Sequence, residues 1–576
     1  MLNSVTWKIG GEAGFGIMSS GSMLSRIFAR SGYWVFCTNE YPSLIRGGLN
    51  LVTVRIATEK ITAMNRDLHI LVALSKLCVE TCKADLSDNA IVVYDPKDYE
   101  WKAGDFPRPV KLMPLPISEI LEKLKAAPVM RNTIAIGATL AILGSDMKLL
   151  NEMLTEQFRK KGEAVIKSNC QVAQAGFDHI YNNFGNETSM HLSPGGKPEK
   201  LLIINGSEAL GVAAVRAGLK FAAIYPMTPI NALITYLADH EKKLNIVYTQ
   251  PEDEISGMNM ALGASVAGVR SMVATSGGGF DLMVEGLSLC GMIETPLVID
   301  LGMRVGPATG MPTWTEQGEL DYVISAGHGE FPRIVLAPGD AEDVFRLTVD
   351  AFNLADEFQI PVFLLTDKYL NESQWCVPAV SFTVPVRIDR GKLITSDLPA
   401  EPEFKRYSTE PGDGISPRSI PGVKNGNFIA NSYEHDESGI VTEAAVGRVK
   451  MASKRLKKAI AVGNAAQPPV VIGPSKADIS FVSWGTTKGP VIEAMSLLSK
   501  MGIKSNLIHF SWLYPFPVQA ADILKNASRL ILVEQNTTGQ LGGLIRKYTG
   551  IEIKEKFLKF DGRPFFPEEI AERIKS

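Results

Sequence analysis

The chain has 576 residues, enough for three or four domains at about 150 residues each. Hydrophobic residues make up 45% and charged residues 21%, an ordinary globular balance, and a net charge of -3 argues against a nucleic-acid or acidic-membrane partner. The basic patches at 160–161 and 454–458 read as solvated surface. The opening residues, MLNSVTWKIGGEAG, lack the basic-then-apolar order of a secretory signal. The longest apolar candidate, LSLCGMIETPLVIDLGM, is broken by Glu294 and Asp300, so no membrane span and a cytoplasmic location are expected. Six cysteines are scattered; the nearest pair, Cys78 and Cys82, fits neither ferredoxin nor zinc-knuckle spacing and reads as buried thiols. No metal is expected on this chain.

The first segment, 1–185, opens with a strand at 5–9, then GGEAGFG, then the helical pattern IMSSGSMLSRIFARSG. Further strands read at 50–57, 69–74 and 90–94, an α/β pattern. Residues 186–200 (NETSMHLSPGGKPEK) read as a linker. The second segment, 201–375, repeats the rhythm in KLLIING, KFAAIYP, RSMVATSGGG, TPLVIDLGM, FPRIVLAP and IPVFLLTD, short apolar runs that suit buried parallel strands. Residues 376–474 are rich in Pro, Gly and charge, with one helical piece at 439–460, and read as an extended connecting segment with little core. The last segment, 475–576, is again α/β, with ADISFVSWGTT, a helix at 488–501, IKSNLIHF and RLILVEQN.

Several motifs carry chemistry. Gly11, Gly14 and Gly16 follow a strand and precede a helix, which suits a close turn or a phosphate; the spacing reverses the dinucleotide fingerprint, so NAD is not supported. Arg46 precedes Gly47 and Gly48, a surface position or a bidentate contact to phosphate or carboxylate. In AIYPMTPINALI, 223–234, Pro226 and Pro229 stiffen a corner around Met227 and Thr228. In TQPEDEISGMNMALGASVAG, 249–268, Glu252, Asp253 and Glu254 stand at a helix start, where any one of them complements the dipole. The face that follows, Gly257, Ala261, Gly263, Ala264 and Ala267, leaves room for close packing.

ATSGGGFDLMVEGL, 274–287, carries three consecutive glycines where a turn needs one, so the backbone there can approach a ligand. GMRVGPATGMPTWTEQGEL, 302–320, is a polar loop with Arg304 at its base. Thr228, Ser276 and Arg304 each follow a strand and are expected at one edge of an open α/β sheet, where ligands bind. The GDG triplet at 412–414 lacks the apolar strand that a metal–diphosphate site needs and reads as a loop turn.

Together IYPMTP, QPEDEISGMNMALGASVAG, ATSGGGFDLMVEGL, GPATGMPTWTEQGEL and WLYPFP…EQNTTGQL resemble the alpha subunit of the 2-oxoacid:ferredoxin oxidoreductases. GGEAGFG and EYPSLIRGG resemble the gamma subunit, here fused ahead of alpha, so that the resemblance covers nearly the whole chain. RYSTEPGDGISPRSIPG and YEHDESG look most like the 2-oxoglutarate branch and its broad-specificity relatives. The resemblance implies three α/β domains: a gamma-type domain (1–185), a thiamine-enzyme pyrimidine-type domain (201–375) and a transketolase C-terminal-like domain (475–576).

It implies CoA-dependent oxidative decarboxylation of a 2-oxoacid to an acyl-CoA and CO₂, with reduction of ferredoxin. Pyruvate and branched-chain oxoacids are the alternative substrates, and a non-catalytic scaffold is the alternative role. Thiamine diphosphate would be shared with a beta subunit that carries Mg²⁺ and a [4Fe-4S] cluster, in a heterodimer or a dimer of heterodimers. By position, Glu254, nine residues before Gly263, matches the thiamine-activating Glu. Thr228 matches a substrate-carboxylate contact, and Arg304 a residue that would pair the same carboxylate or the distal acid, with Tyr225 beside them. Pro226, Ser276, Gly277, Gly278 and Gly279 would lie against the cofactor, and Arg46, Gly14 and Gly16 near coenzyme A. Gly278 replaces a common Pro, and Ala308 a common Ser.

Overall fold

The computed structural model describes residues 2–44, 47–185, 187, 190–196 and 200–575. The chain divides into two compact units, the first made of 1–204, 373–380 and 566–568, the second of the remainder. In the first, β1 (Ser4–Glu12), β2 (Trp34–Glu40), β3 (Leu49–Ala57), β4 (Leu68–Ala73), β5 (Leu86–Tyr94), β6 (Val110–Pro114) and β7 (Leu201–Asn205) enter one sheet. With a later strand, Gln374–Pro378, its order is β6-β5-β4-β1-β3-β2, that strand, then β7. β1 pairs parallel with β4 and antiparallel with β3. Alternate residues face opposite cores, as the two-residue period of a strand requires: Ile70 and Val72 one way, Leu71 and Ala73 the other.

Two sequence expectations change here. The first strand runs through Gly10 and Gly11 to Glu12, so Gly11 pairs with Asn50 and is not part of the loop. The strand at 201–205, read with the second segment, lies in the first sheet.

In the second unit, β8 (Leu219–Ala223), β9 (Val247–Thr249), β10 (Arg270–Thr275), β11 (Leu297–Met303), β12 (Ile334–Leu336) and β13 (Pro361–Asp367) form a parallel sheet. The strand Gln374–Pro378 is β14 in chain order, followed by β15 (Val470–Ile472), β16 (Ile479–Trp484), β17 (Ser505–Phe510), β18 (Trp512–Tyr514), β19 (Leu530–Glu534) and β20 (Glu555–Leu558). β18 closes the second sheet antiparallel, giving β18-β12-β13-β11-β10-β8-β9. The others form a third sheet, β15-β17-β16-β19-β20. Every residue of β10, β11 and β13 is buried, which is why these strands read as unbroken apolar runs. Among the described residues, no helix is long and apolar enough to cross a membrane.

The connecting segment is held by charge, and the reading of 454–458 as solvated surface is wrong. Lys454 and Lys458, on the helix Ala445–Asn464, are buried and both meet the carboxylate of Glu294, Lys454 at 2.6 Å. Arg406 donates to the Glu294 carbonyl at 2.7 Å. A second buried carboxylate, Asp356, gathers Arg270, Arg390 and Arg418 at 2.8, 2.7 and 3.2 Å. The sequence shows the charges but not the two acids that neutralise them.

These braces fix two helices from behind. Arg418 and Arg390 donate to the carbonyls of Ser265 and Gly268, at the C-terminal end of the helix Glu254–Val266. Glu294 stands two residues beyond the helix Gly277–Met292, in left-handed backbone with φ 49°.

Burial opposes the Glu294 charge, but Lys458, Lys454 and Arg406 hold its carboxyl well below the usual range. Its contribution to stability is therefore complete above the ordinary pKa of 4.5 and is lost in stronger acid. Glu294→Gln leaves two buried ammoniums uncompensated, and urea unfolding near neutral pH is expected to show a loss of about 3–5 kcal/mol. An unchanged midpoint would contradict the brace.

Candidate active site

β11, β10 and β8 are adjacent and parallel, and the chain leaves each at the same edge. Arg304 follows β11, Ser276 follows β10, and the corner 224–229 follows β8, as expected for an open α/β sheet. Arg304 Nη1 donates to the Thr228 carbonyl at 3.0 Å, and the Ser276 hydroxyl meets Met227 Sδ. Pro229 packs over Gly302, where an added Cβ would fall 2.9 Å from its ring, and the Thr228–Pro229 peptide is cis. Thr228 and Tyr225 are half-buried and Pro226 is exposed, so the corner stays reachable from solvent. Burial lowers the Arg304 pKa and Glu319 opposes that shift; the guanidinium remains a cation at physiological pH.

The three acids at the start of the helix Glu254–Val266 have separate fates. Glu252 is exposed. Asp253 is the N-cap, accepting from the Ser256 N–H at 2.8 Å. Glu254 is only 4% exposed, and its Oε1 has no protein partner. The small-residue face divides: Gly257 and Ala261 pack inward, whereas Gly263 and Ala267 are exposed, so it is not one continuous packing surface.

The three glycines begin the helix Gly277–Met292 and separate two acids. A Cβ on Gly279 would fall on Thr275 Oγ1 and 2.5 Å from Glu254 Oε1. One on Gly277 would fall 2.6 Å from Glu319 Oε1. One on Gly278 would meet nothing closer than the Ala308 carbonyl at 3.8 Å, so that face is open. Ala308 itself has left-handed backbone, φ 55°, an unfavourable state for a non-glycine residue, of the kind that clusters at functional sites.

Glu319 was not singled out from the sequence. Nothing in TEQGEL sets it apart; its neighbours Thr315 and Gln317 are hydrogen-bonded within the protein. Gln317 Nε2 donates to the Trp484 carbonyl at 2.8 Å, and its Oε1 accepts from the Gln535 N–H at 2.9 Å. Glu319 Oε2 is buried without a protein partner.

Gly14 and Gly16 lie in the first unit with φ 98° and 70°, values that favour glycine. Gly16 caps the helix Ile17–Arg30, and its carbonyl accepts from Ser19 and Asn132. Arg46 lies outside the described residues. In the GDG triplet, Asp413 accepts from the Ile415 N–H and from Lys392, the arrangement of a loop turn.

An acid, a hydroxyl and a guanidinium gather beyond the carboxyl edge of a parallel sheet, the place where α/β enzyme subunits bind small molecules. Residues 212–454 match the family described as "Pyruvate flavodoxin/ferredoxin oxidoreductase, thiamine diP-bdg", and 6–179 match "Pyruvate ferredoxin/flavodoxin oxidoreductase". The alpha subunit of the 2-oxoacid:ferredoxin oxidoreductase of Saccharolobus solfataricus is 33% identical over 99% of this chain and 97% of its own. The 2-oxoglutarate oxidoreductase subunit KorA of Mycobacterium tuberculosis is 26% identical over 100% and 92%. The solved 2-oxoglutarate:ferredoxin oxidoreductase of Magnetococcus marinus, with 2-oxoglutarate, coenzyme A and succinyl-CoA bound, superposes with a TM-score of 0.92 at 32% identity, covering 100% of this chain and 99% of that one. The chain belongs to the alpha subunits of the 2-oxoacid:ferredoxin oxidoreductases.

The glycine geometry separates two substitutions. Gly279→Ala displaces Thr275 or Glu254 and is expected to cost about 1–3 kcal/mol in urea unfolding. Gly278→Ala is expected to be neutral or to stabilise by up to about 1 kcal/mol. Equal effects would contradict the placement of Glu254 against Gly279.

Proposed function

We propose that the cluster beyond β8, β10 and β11 is this chain's share of a thiamine diphosphate site, in an enzyme that oxidatively decarboxylates 2-oxoglutarate with coenzyme A and ferredoxin. The observation that carries the reading is the buried Glu254 oxygen without a partner. A carboxyl of that kind suits a ring nitrogen of the cofactor's pyrimidine, and the open face of Gly278 offers the ring room. When bound, thiamine diphosphate supplies a carbon centre that adds to the oxoacid and takes up the electron pair left by CO₂.

This chain's own residues bind and orient. Glu254 hydrogen-bonds the ring nitrogen and holds a proton there, as a general acid–base group. Pro226, Ser276, Gly277, Gly278 and Gly279 form the wall against the ring. The Thr228 hydroxyl donates to the oxoacid carboxylate, Arg304 pairs with the same group, and Tyr225 lines the approach. The corner 226–229 keeps its shape because two prolines limit it and Arg304 ties its carbonyl.

The same reading assigns the diphosphate, Mg²⁺ and a [4Fe-4S] cluster to a beta subunit, in a heterodimer or a pair of heterodimers in the cytoplasm. The full-length likeness to an enzyme whose structure holds 2-oxoglutarate, and to a relative named for that oxoacid, supports that substrate over pyruvate. In the first unit, the Gly14 and Gly16 turn offers backbone N–H groups to coenzyme A, with Arg46 as its cation. The organisation that goes with it is gamma-type (1–185), pyrimidine-type (201–375) and transketolase C-terminal-like (475–576).

In the assembled enzyme, Glu254→Gln is expected to reduce 2-oxoglutarate oxidation by about 10²–10⁴-fold, with the subunits still associated on gel filtration. Full activity would remove Glu254 from the chemistry. Thr228→Val is expected to lower kcat/KM by about 1–3 kcal/mol for every 2-oxoacid alike, since the carboxylate is common to all. Unchanged kcat/KM would refute that contact.

A further inference from the structure

Glu319 is the acid of the site that the reading above leaves without a task. It closes the loop 302–320, whose neighbouring side chains are committed to the protein. Gln317 is bonded at both ends, and the Glu316 carboxylate accepts from the Gly306 N–H at 3.3 Å. Glu319 has one oxygen against Gly277 and the other buried with no protein partner. A buried polar oxygen left unpaired is costly, and a ligand atom that pairs with it removes the cost.

The surroundings specify the ligand atom. Burial and the Glu316 carboxylate push the Glu319 carboxyl up to about 8, against the pull of the Gly318 N–H and of Arg304, so at neutral pH the protonated acid, with a hydroxyl to donate, predominates. The first turn of the helix Gly277–Met292 has no acidic residue to receive it. Asp281, further along that helix, is engaged by the Tyr322 hydroxyl at 2.5 Å, and Asp321 is acted on by Lys547. Glu254 stands on the other side of Gly279. The cation acting on Glu319 is Arg304, which the reading above gives to the oxoacid carboxylate.

We propose that Glu319 is a further substrate-contacting residue, whose free oxygen donates a hydrogen bond to the 2-oxo carboxylate group beside Arg304. The inference rests on the assignment of Thr228 and Arg304 to that carboxylate. It makes Glu319 a charge gate. Protonated, it leaves the attraction of Arg304 for an anion intact; ionised, it offsets Arg304 and repels the carboxylate.

The sign follows. The binding-competent form is the protonated one, so affinity is full below about pH 8 and falls as pH rises through it. Above that pH, binding must take up a proton.

The test is titration calorimetry of the assembled, thiamine-loaded enzyme with N-oxalylglycine, an unreactive isostere of 2-oxoglutarate. Runs on both sides of pH 8, in two buffers of different ionisation enthalpy, count the protons taken up. The wild type is expected to bind more weakly and take up a proton on the alkaline side. Glu319→Gln is expected to lose both the alkaline weakening and the uptake, whatever its affinity at neutral pH. Glu316→Gln, which removes the nearby like charge, is expected to retain both at a lower pH.

A wild type with flat affinity and no uptake overturns the proposal without recourse to any variant. So does a Glu319→Gln enzyme that still shows the alkaline limb. No binding at neutral pH overturns the assignment of Thr228 and Arg304 instead, which separates the two failures.

Discussion

Two carboxyls buried on either side of one glycine turn, each with an oxygen that the protein leaves unpaired, are the constraint around which the second unit is arranged. Such an oxygen costs about 1–3 kcal/mol when nothing pairs with it. Glu254 and Glu319 both carry that cost, and only glycines fit between them, because a side chain on Gly277 or Gly279 would collide with one or the other. A fold keeps such a strained arrangement when its surroundings over-determine it.

The over-determination comes from two directions. Behind the site, Glu294 and Asp356 each gather three basic side chains and tie the segment 381–465 to the far ends of the helices that carry Glu254 and the glycines. A buried ion pair is weak evidence for net stability, but removing one partner is severe, so these groups fix position more than they add free energy. In front, Gln317 and Asn536 anchor the loop 302–320 beside the third sheet, with Asn536 donating to the Gln317 carbonyl at 3.1 Å. Arg304 and Glu319 thus sit at the two ends of a loop pinned between them.

Much of this was legible in the sequence, and what was not has physical reasons. Buried parallel strands announce themselves because both faces are apolar, so β10, β11 and β13 read correctly. β2 (WVFCTNE) and β6 (VKLMP) mix polar with apolar residues, and β9 is three residues long on a sheet edge, so none of them carried a clear period. The strand edge that gathers Thr228, Ser276 and Arg304 followed from chain order alone. Lys454 and Lys458 looked solvated because partner acids lie about 160 residues away, as Glu294 does from both. Glu319 was invisible for a related reason: a glutamate in a polar loop gives no sign that its oxygen will be buried.

The central claim is that Glu254 meets the pyrimidine of thiamine diphosphate. Near-ultraviolet circular dichroism of the assembled, thiamine-loaded enzyme reports the imino tautomer that such a contact favours, independently of turnover. The account predicts an imino band in the wild type that disappears in Glu254→Gln while the cofactor remains bound by mass spectrometry of the intact complex. An undiminished band in that variant would contradict it.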